Sequence, residues 1–99
     1  LPGVRPVPYG HIGDGNIHYN VCPPVGYPLE AFKEKTSEVR EIVYGNAFTY
    51  GGSFAAEHGV GIIKKSQMIK YKDPAELAIM KEIKNLLDPE NILNPGKIF

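Results

Sequence analysis

The sequence predicts an α+β domain, with helices covering one face of a small antiparallel sheet. Three observations carry that expectation. An Asp-Gly pair, Asp14-Gly15, interrupts an extended stretch from Tyr9 to Val21. Two segments, one after Tyr27 and one after Asp73, repeat apolar residues at helical spacing. The stretches between and after them are short, aromatic or Gly-rich, and read as strands and turns. The resulting order of strand, turn, strand, helix, strand, helix, strand is that of an α+β fold.

Residues 1–8 contain Pro2, Pro6 and Pro8 and cannot build regular helix. They read as a linker or as the tail of a preceding element, so the domain proper is 9–99 and the chain reads as a piece of a longer protein. Asp-Gly between apolar residues is a strong hairpin signal, because Gly tolerates the positive φ of a tight turn. With Asp14-Gly15 as a two-residue loop, Gly13 faces Asn16, Ile12 faces Ile17 and His11 faces His18. Such partners have Cβ atoms about 4.5–5.5 Å apart. Asn20, two residues beyond His18, points to the same side. Cys22-Pro23-Pro24-Val25-Gly26 is a loop.

A helix is predicted from about Pro28 to Tyr44, with Leu29, Phe32, Val39, Ile42 and Val43 on its apolar face and Gly45-Asn46 as its stop. Phe48 to Phe54 reads as a turn entering a strand from Ser53 to His58, which Gly59 ends. Ile62 to Tyr71 is a short, irregular helix; Met68 and Met80 belong to the core. Asp73-Pro74-Ala75-Glu76 is the clearest helix start, combining an N-cap Asp, Pro at the first position and Glu at the third. Leu77, Met80, Ile83, Leu86 and Leu87 form the stripe of that helix, and Asp88-Pro89 ends it. The tail from Ile92 to Phe99 is extended, with a turn at Asn94-Pro95-Gly96.

Composition removes several functions. Lys plus Arg number 11 and Asp plus Glu number 11, so the formal charge is zero. No electrostatic footprint for nucleic acid or an anionic membrane is present. Cys22 is the single cysteine, which rules out an intrachain disulfide and fits a reducing compartment. No long apolar run or signal-peptide pattern occurs. The expected location is the cytoplasm, free or peripheral to a membrane.

Three groups of residues have the types that carry chemistry. His11 and His18 read either as ordinary strand histidines bonded to backbone or, as a cross-strand pair, as two imidazole ligands of one metal ion. Zinc sites generally add a third protein ligand. Glu57, the lone acidic residue between Ala55-Ala56 and Gly59, offers one; its other reading is an exposed edge-strand Glu next to a surface His. Glu57 and His58 serve one site only if the strand ends or bulges there, which Gly59 permits. Asp14 and Asn16 are further ligand candidates, although both residue types favour turns. Tyr9, Tyr19 and Tyr50 read as packing residues.

Three motifs then converge on one family. Gly10-His11-Ile12-Gly13-Asp14-Gly15-Asn16-Ile17-His18-Tyr19-Asn20, Gly52-Ser53-Phe54-Ala55-Ala56-Glu57-His58-Gly59-Val60-Gly61 and the run from Met80 to Lys97 resemble, in this order, the C-terminal cap domain of flavin-linked 2-hydroxyacid dehydrogenases of the vanillyl-alcohol-oxidase type. That group includes D-lactate dehydrogenases, glycolate oxidase flavoprotein subunits and D-2-hydroxyglutarate dehydrogenases. The resemblance implies an FAD held mostly by an N-terminal domain missing from these residues, and a divalent metal, zinc or manganese, on His11, His18 and Glu57. It also implies His58 as general base close to the flavin, Asn20 at the substrate and Asn94 beside the flavin. Partners would be a small-molecule 2-hydroxy acid, the missing FAD-binding domain and an electron acceptor the sequence does not identify. The chain has no Gly-rich pyrophosphate loop, so by itself it should bind FAD weakly and be inactive. Apolar surface left uncovered would drive self-association. From other classes, a stand-alone metal-binding or oligomerisation module and a two-His-one-carboxylate hydrolase remain as alternatives.

Overall fold

The computed structural model describes residues 2–99. It divides into two compact units, one running to Glu57 and the other His58–Phe99. Its α+β character matches the expectation, but its strands are fewer. The described residues hold one sheet of two strands, β1 (Arg5–Tyr9) and β2 (His18–Cys22), and four helices.

In the first unit β1 and β2 are antiparallel, with Arg5 opposite Cys22, Val7 opposite Asn20 and Tyr9 opposite His18. The strand thus begins upstream of Tyr9, within the Pro-rich stretch. Pro6 and Pro8 are tolerated because they alternate, leaving Arg5, Val7 and Tyr9 to supply the N–H groups of the ladder. The predicted two-residue hairpin is corrected. The connection spans Gly10 to Ile17 and contains a 3-10 turn, Ile12–Asp14, which Gly15 ends at φ 68. His18 therefore faces Tyr9, and His11 lies in the connection.

The single helix expected from Pro28 to Tyr44 is two: α1 (Leu29–Lys33) and α2 (Thr36–Thr49). Gly45-Asn46 does not stop α2. Asn46 stays in the helix and its Nδ2 donates to the Ile42 carbonyl at 2.8 Å. The stop comes at Gly51, φ 73, where Gly51 N–H bonds the Phe48 carbonyl at 2.9 Å and Gly52 N–H the Ala47 carbonyl at 2.7 Å. That pair of bonds is the Schellman motif, which satisfies the last carbonyls of the helix. Val39, Ile42 and Val43 of α2 line an apolar hollow of about 170 Å³ with Pro6, Tyr19 and Val21, so α2 covers the sheet face opposite that of His18.

The strand expected over Ser53–His58 is absent. Those residues form bends and turns, with Ala56 at φ 49, in the left-handed rather than the extended region.

In the second unit α3 (Lys65–Tyr71) occupies the later part of the irregular helix expected there, and α4 (Pro74–Leu87) starts as predicted. Asp73 accepts hydrogen bonds from Ala75 N at 2.8 Å and Glu76 N at 3.2 Å. Met68 is buried and Met80 half-buried, while Leu86 and Leu87 of the α4 stripe are exposed. Asp88 is buried at the C-terminus of α4. It pairs with Lys84 and accepts from Ile92 N and Leu93 N, each at 3.0 Å. The tail turns at Asn94-Pro95-Gly96 and forms no strand; Ile98 N–H bonds the Gly61 carbonyl at 2.8 Å. No helix of the described residues is long and apolar enough to cross a membrane.

Candidate functional site

The site grows from the compactness of the β1–β2 connection. The His11 carbonyl accepts from Asp14 N at 2.9 Å and from Asn16 N at 3.2 Å, and Gly15 N bonds the Ile12 carbonyl at 3.1 Å. Gly10, at φ 153, lets the chain cross itself: a Cβ there would sit 2.3 Å from the Asn16 carbonyl oxygen. Gly10 is thus required by close approach of backbone to backbone. Asp14 is exposed in the 3-10 turn.

The distant segment arrives through the end of α2. After the turn at Gly51-Gly52 the chain doubles back, with Ala55 N donating to Ser53 Oγ at 3.3 Å. The Phe54 ring lies 5.8 Å from the Tyr44 ring of α2 and anchors the segment to that helix. A groove of about 370 Å³ separates Ala47, Gly52, Ser53 and Ala56 from Asp14, Gly15, Asn16 and Ile17. Glu57 stands at the close of this segment.

His18, His11 and Asn16 all approach the Glu57 carboxylate. Oε1 is 3.3 Å from His18 Nε2, and Oε2 is 4.0 Å from His11 Nε2. Asn16 Nδ2 donates to Oε2. His18 is the most enclosed of these, with a side chain 20% exposed against 47% for Glu57 and 69% for His11. Its ring stacks on Tyr9, centroids 5.1 Å apart.

Two imidazoles and a carboxylate are the residue types that bind divalent transition metals. Ligand atoms about 2.0–2.2 Å from one tetrahedral ion lie roughly 3.3–3.5 Å from one another. The His18–Glu57 separation falls in that range, and His11–Glu57 is wider by half an ångström. Two imidazoles with one carboxylate also leave room for an open position of the kind catalytic zinc sites keep.

Of the remaining predicted site residues, Asn20 belongs to β2, and His58 and Asn94 belong to the second unit. Asn20 pairs with Val7 and by strand alternation shares the face of His18. His58 is exposed in a turn that opens the second unit. Asn94 is exposed at φ 49, and its carbonyl accepts from Lys97 N at 3.4 Å. Sequence reasoning missed two roles. Tyr9 had no assignment beyond packing, and Asn16 was weighed as a ligand or a turn residue, never as the partner of Glu57. The prolines of β1, whose alternation sets which residues pair, held the signal for Tyr9; nothing local in the sequence links Asn16 to a residue 41 positions on.

Comparison with known proteins adds an independent finding. The family model described as FAD linked oxidases, C-terminal domain, matches residues 2–98. The chain is 42% identical over 98 residues to a D-2-hydroxyglutarate dehydrogenase of Stutzerimonas stutzeri, covering 99% of this chain and 21% of that protein. It is 38% identical over 96 residues to a D-lactate dehydrogenase of Archaeoglobus fulgidus, covering 97% of this chain and 20% of the other. A mitochondrial D-2-hydroxyglutarate dehydrogenase of Arabidopsis thaliana is 39% identical over 91 residues, covering 92% of this chain and 15% of its own length. The chain thus spans about a fifth of the length of these curated relatives, or less.

Proposed function

The chain belongs to the family of C-terminal domains of FAD linked oxidases, and on that premise we propose that the protein carrying it oxidises a D-2-hydroxy acid. The observation that carries this reading is the approach of His11 and His18 to the two oxygens of the Glu57 carboxylate, on a chain whose relatives are named as D-2-hydroxyglutarate and D-lactate dehydrogenases.

Oxidation of an α-hydroxy acid removes a proton from the hydroxyl and a hydride from the α-carbon. FAD, bound mainly by the part of the protein outside these residues, would supply the hydride acceptor. His11, His18 and Glu57 would hold a zinc or manganese ion, which would supply Lewis acidity toward the substrate hydroxyl.

This chain's own residues do the rest. Glu57 presents one oxygen toward each imidazole and so sets the spacing of the cation site. Tyr9 orients the His18 ring by stacking. His58, next in the chain to Glu57, takes the hydroxyl proton on an imidazole nitrogen, the group that most often serves as a general base. Asn20, on the His18 face, hydrogen-bonds the bound acid. Asn94 would contact the flavin. On this reading the isolated chain is inactive.

The test is an acceptor-reduction assay of the full-length protein with D-2-hydroxyglutarate and D-lactate. Turnover of one of them, its loss in His58→Ala and its loss on chelation support the reading. Full turnover in His58→Ala removes His58 as the base, and a full-length protein that binds no flavin overturns the proposal.

A further inference from the structure

We propose that Asn16 is a positioning residue of this cation site, holding Glu57 in its ligating orientation before any ion arrives. The inference rests on the metal reading above and adds a residue to it.

Asn16 is tied to both ends of the site. Its backbone N–H bonds the carbonyl of His11 at 3.2 Å, and its own carbonyl packs against Gly10. Its side-chain Nδ2 reaches across to Glu57 Oε2. The orientation of the amide is forced, because an ionised carboxylate only accepts and so must meet the NH₂ end. The other end, Oδ1, is then left buried with no hydrogen-bond partner among the described residues. A buried, unpaired carbonyl oxygen is unfavourable. The amide therefore adopts the rotation that serves Glu57 rather than the one that serves its own oxygen.

The consequence concerns preorganisation. Glu57 is close to half exposed, and a long exposed side chain must give up rotamer freedom when it ligates an ion. With Oε2 held by Asn16, that freedom is already reduced and Oε1 is turned toward His18. Hydrogen bonds of this kind to ligating carboxylates are worth about 10–100-fold in metal affinity.

Calorimetric titration of the full-length protein with Zn²⁺ tests it. Asn16→Ala and Asn16→Leu should each weaken Zn²⁺ binding by about 10–100-fold. Leu keeps the branched shape and the number of heavy atoms and removes the unpaired oxygen, so the thermal midpoint of the metal-free Leu variant should match that of the unsubstituted protein. In a Glu57→Ala background the same two substitutions should leave the remaining Zn²⁺ affinity unchanged. Unaltered affinity in Asn16→Leu, or an equal loss with and without Glu57, overturns the role of Asn16. Failure of the unsubstituted protein to take up Zn²⁺ overturns the metal site itself, and with it the role of Asn16, a result distinct from either of those.

Discussion

Tyr9 and His18 are cross-strand partners whose rings stack 5.1 Å apart with planes 9° from parallel. The imidazole is thereby held by an aromatic face, with its Nε2 3.3 Å from Glu57 Oε1. Such pairs contribute about 0.5–1.5 kcal/mol beyond burial. Tyr9→Ala should lower stability by about that amount and weaken Zn²⁺ binding, whereas Tyr9→Phe should preserve both, since the ring carries the contact. Denaturant unfolding and metal titration of the two variants check this; equal losses would assign the effect to the hydroxyl.

Gly10 makes the second prediction. A methyl group there meets the Asn16 backbone oxygen at 2.3 Å, and no flexible side chain can yield to relieve it. Gly10→Ala must open the connection that carries both His11 and Asn16. We expect a destabilisation of more than about 1 kcal/mol and loss of Zn²⁺ affinity together. A variant with ordinary affinity and an unchanged unfolding midpoint would show that the loop tolerates the opening.

These two residues also show what a linear reading can reach. The start of α4 was legible because Asp73, Pro74 and Glu76 act within one turn, and the structure shows Asp73 accepting the bonds they predict. The Asp14-Gly15 signal was just as local but was outvoted. The pairing of Pro6 and Pro8 in β1, and the crossing of Gly10 over Asn16, moved the register and turned the expected hairpin loop into a 3-10 turn. Residue types nominated His11, His18 and Glu57; their meeting depends on contacts 39 or more residues apart, made through a turn that was read as a strand. Aromatic and Gly-rich sequence from Phe48 to Phe54 has strand-like composition, and only the terminal carbonyls of α2 decide that Gly51-Gly52 closes a helix instead.

That closure gives a third prediction. Gly51 is left-handed at φ 73 and has no neighbour that a methyl would strike, so Gly51→Ala tests conformation alone. It should cost about 1 kcal/mol. Because Gly51 aims the segment that carries Glu57, metal affinity should fall with it. Chemical denaturation measures the first effect and calorimetry the second; an unaffected affinity would mean that the contact of Phe54 with Tyr44 aims the segment unaided.

The last prediction is a pH dependence in the second unit. The Lys84 ammonium beside Asp88 holds its carboxyl below the ordinary value of 3.8, with the backbone N–H groups of Ile92 and Leu93 acting the same way and burial opposing them. A carboxylate with a depressed folded-state pKa binds its proton more readily when unfolded. Its contribution to stability is therefore complete above about pH 5, declines as the pH falls through the ordinary carboxylate range and is lost below the folded-state value. Asp88→Asn removes that titration while keeping a carbonyl oxygen for one of the two N–H donors. The thermal midpoint of Asp88→Asn should lie below that of the unsubstituted chain at pH 7, and the gap should close as the pH is lowered toward 3. Parallel melting curves across that range would mean that Lys84, which also donates to the Leu93 carbonyl at 2.6 Å, secures the end of α4 without the charge of Asp88.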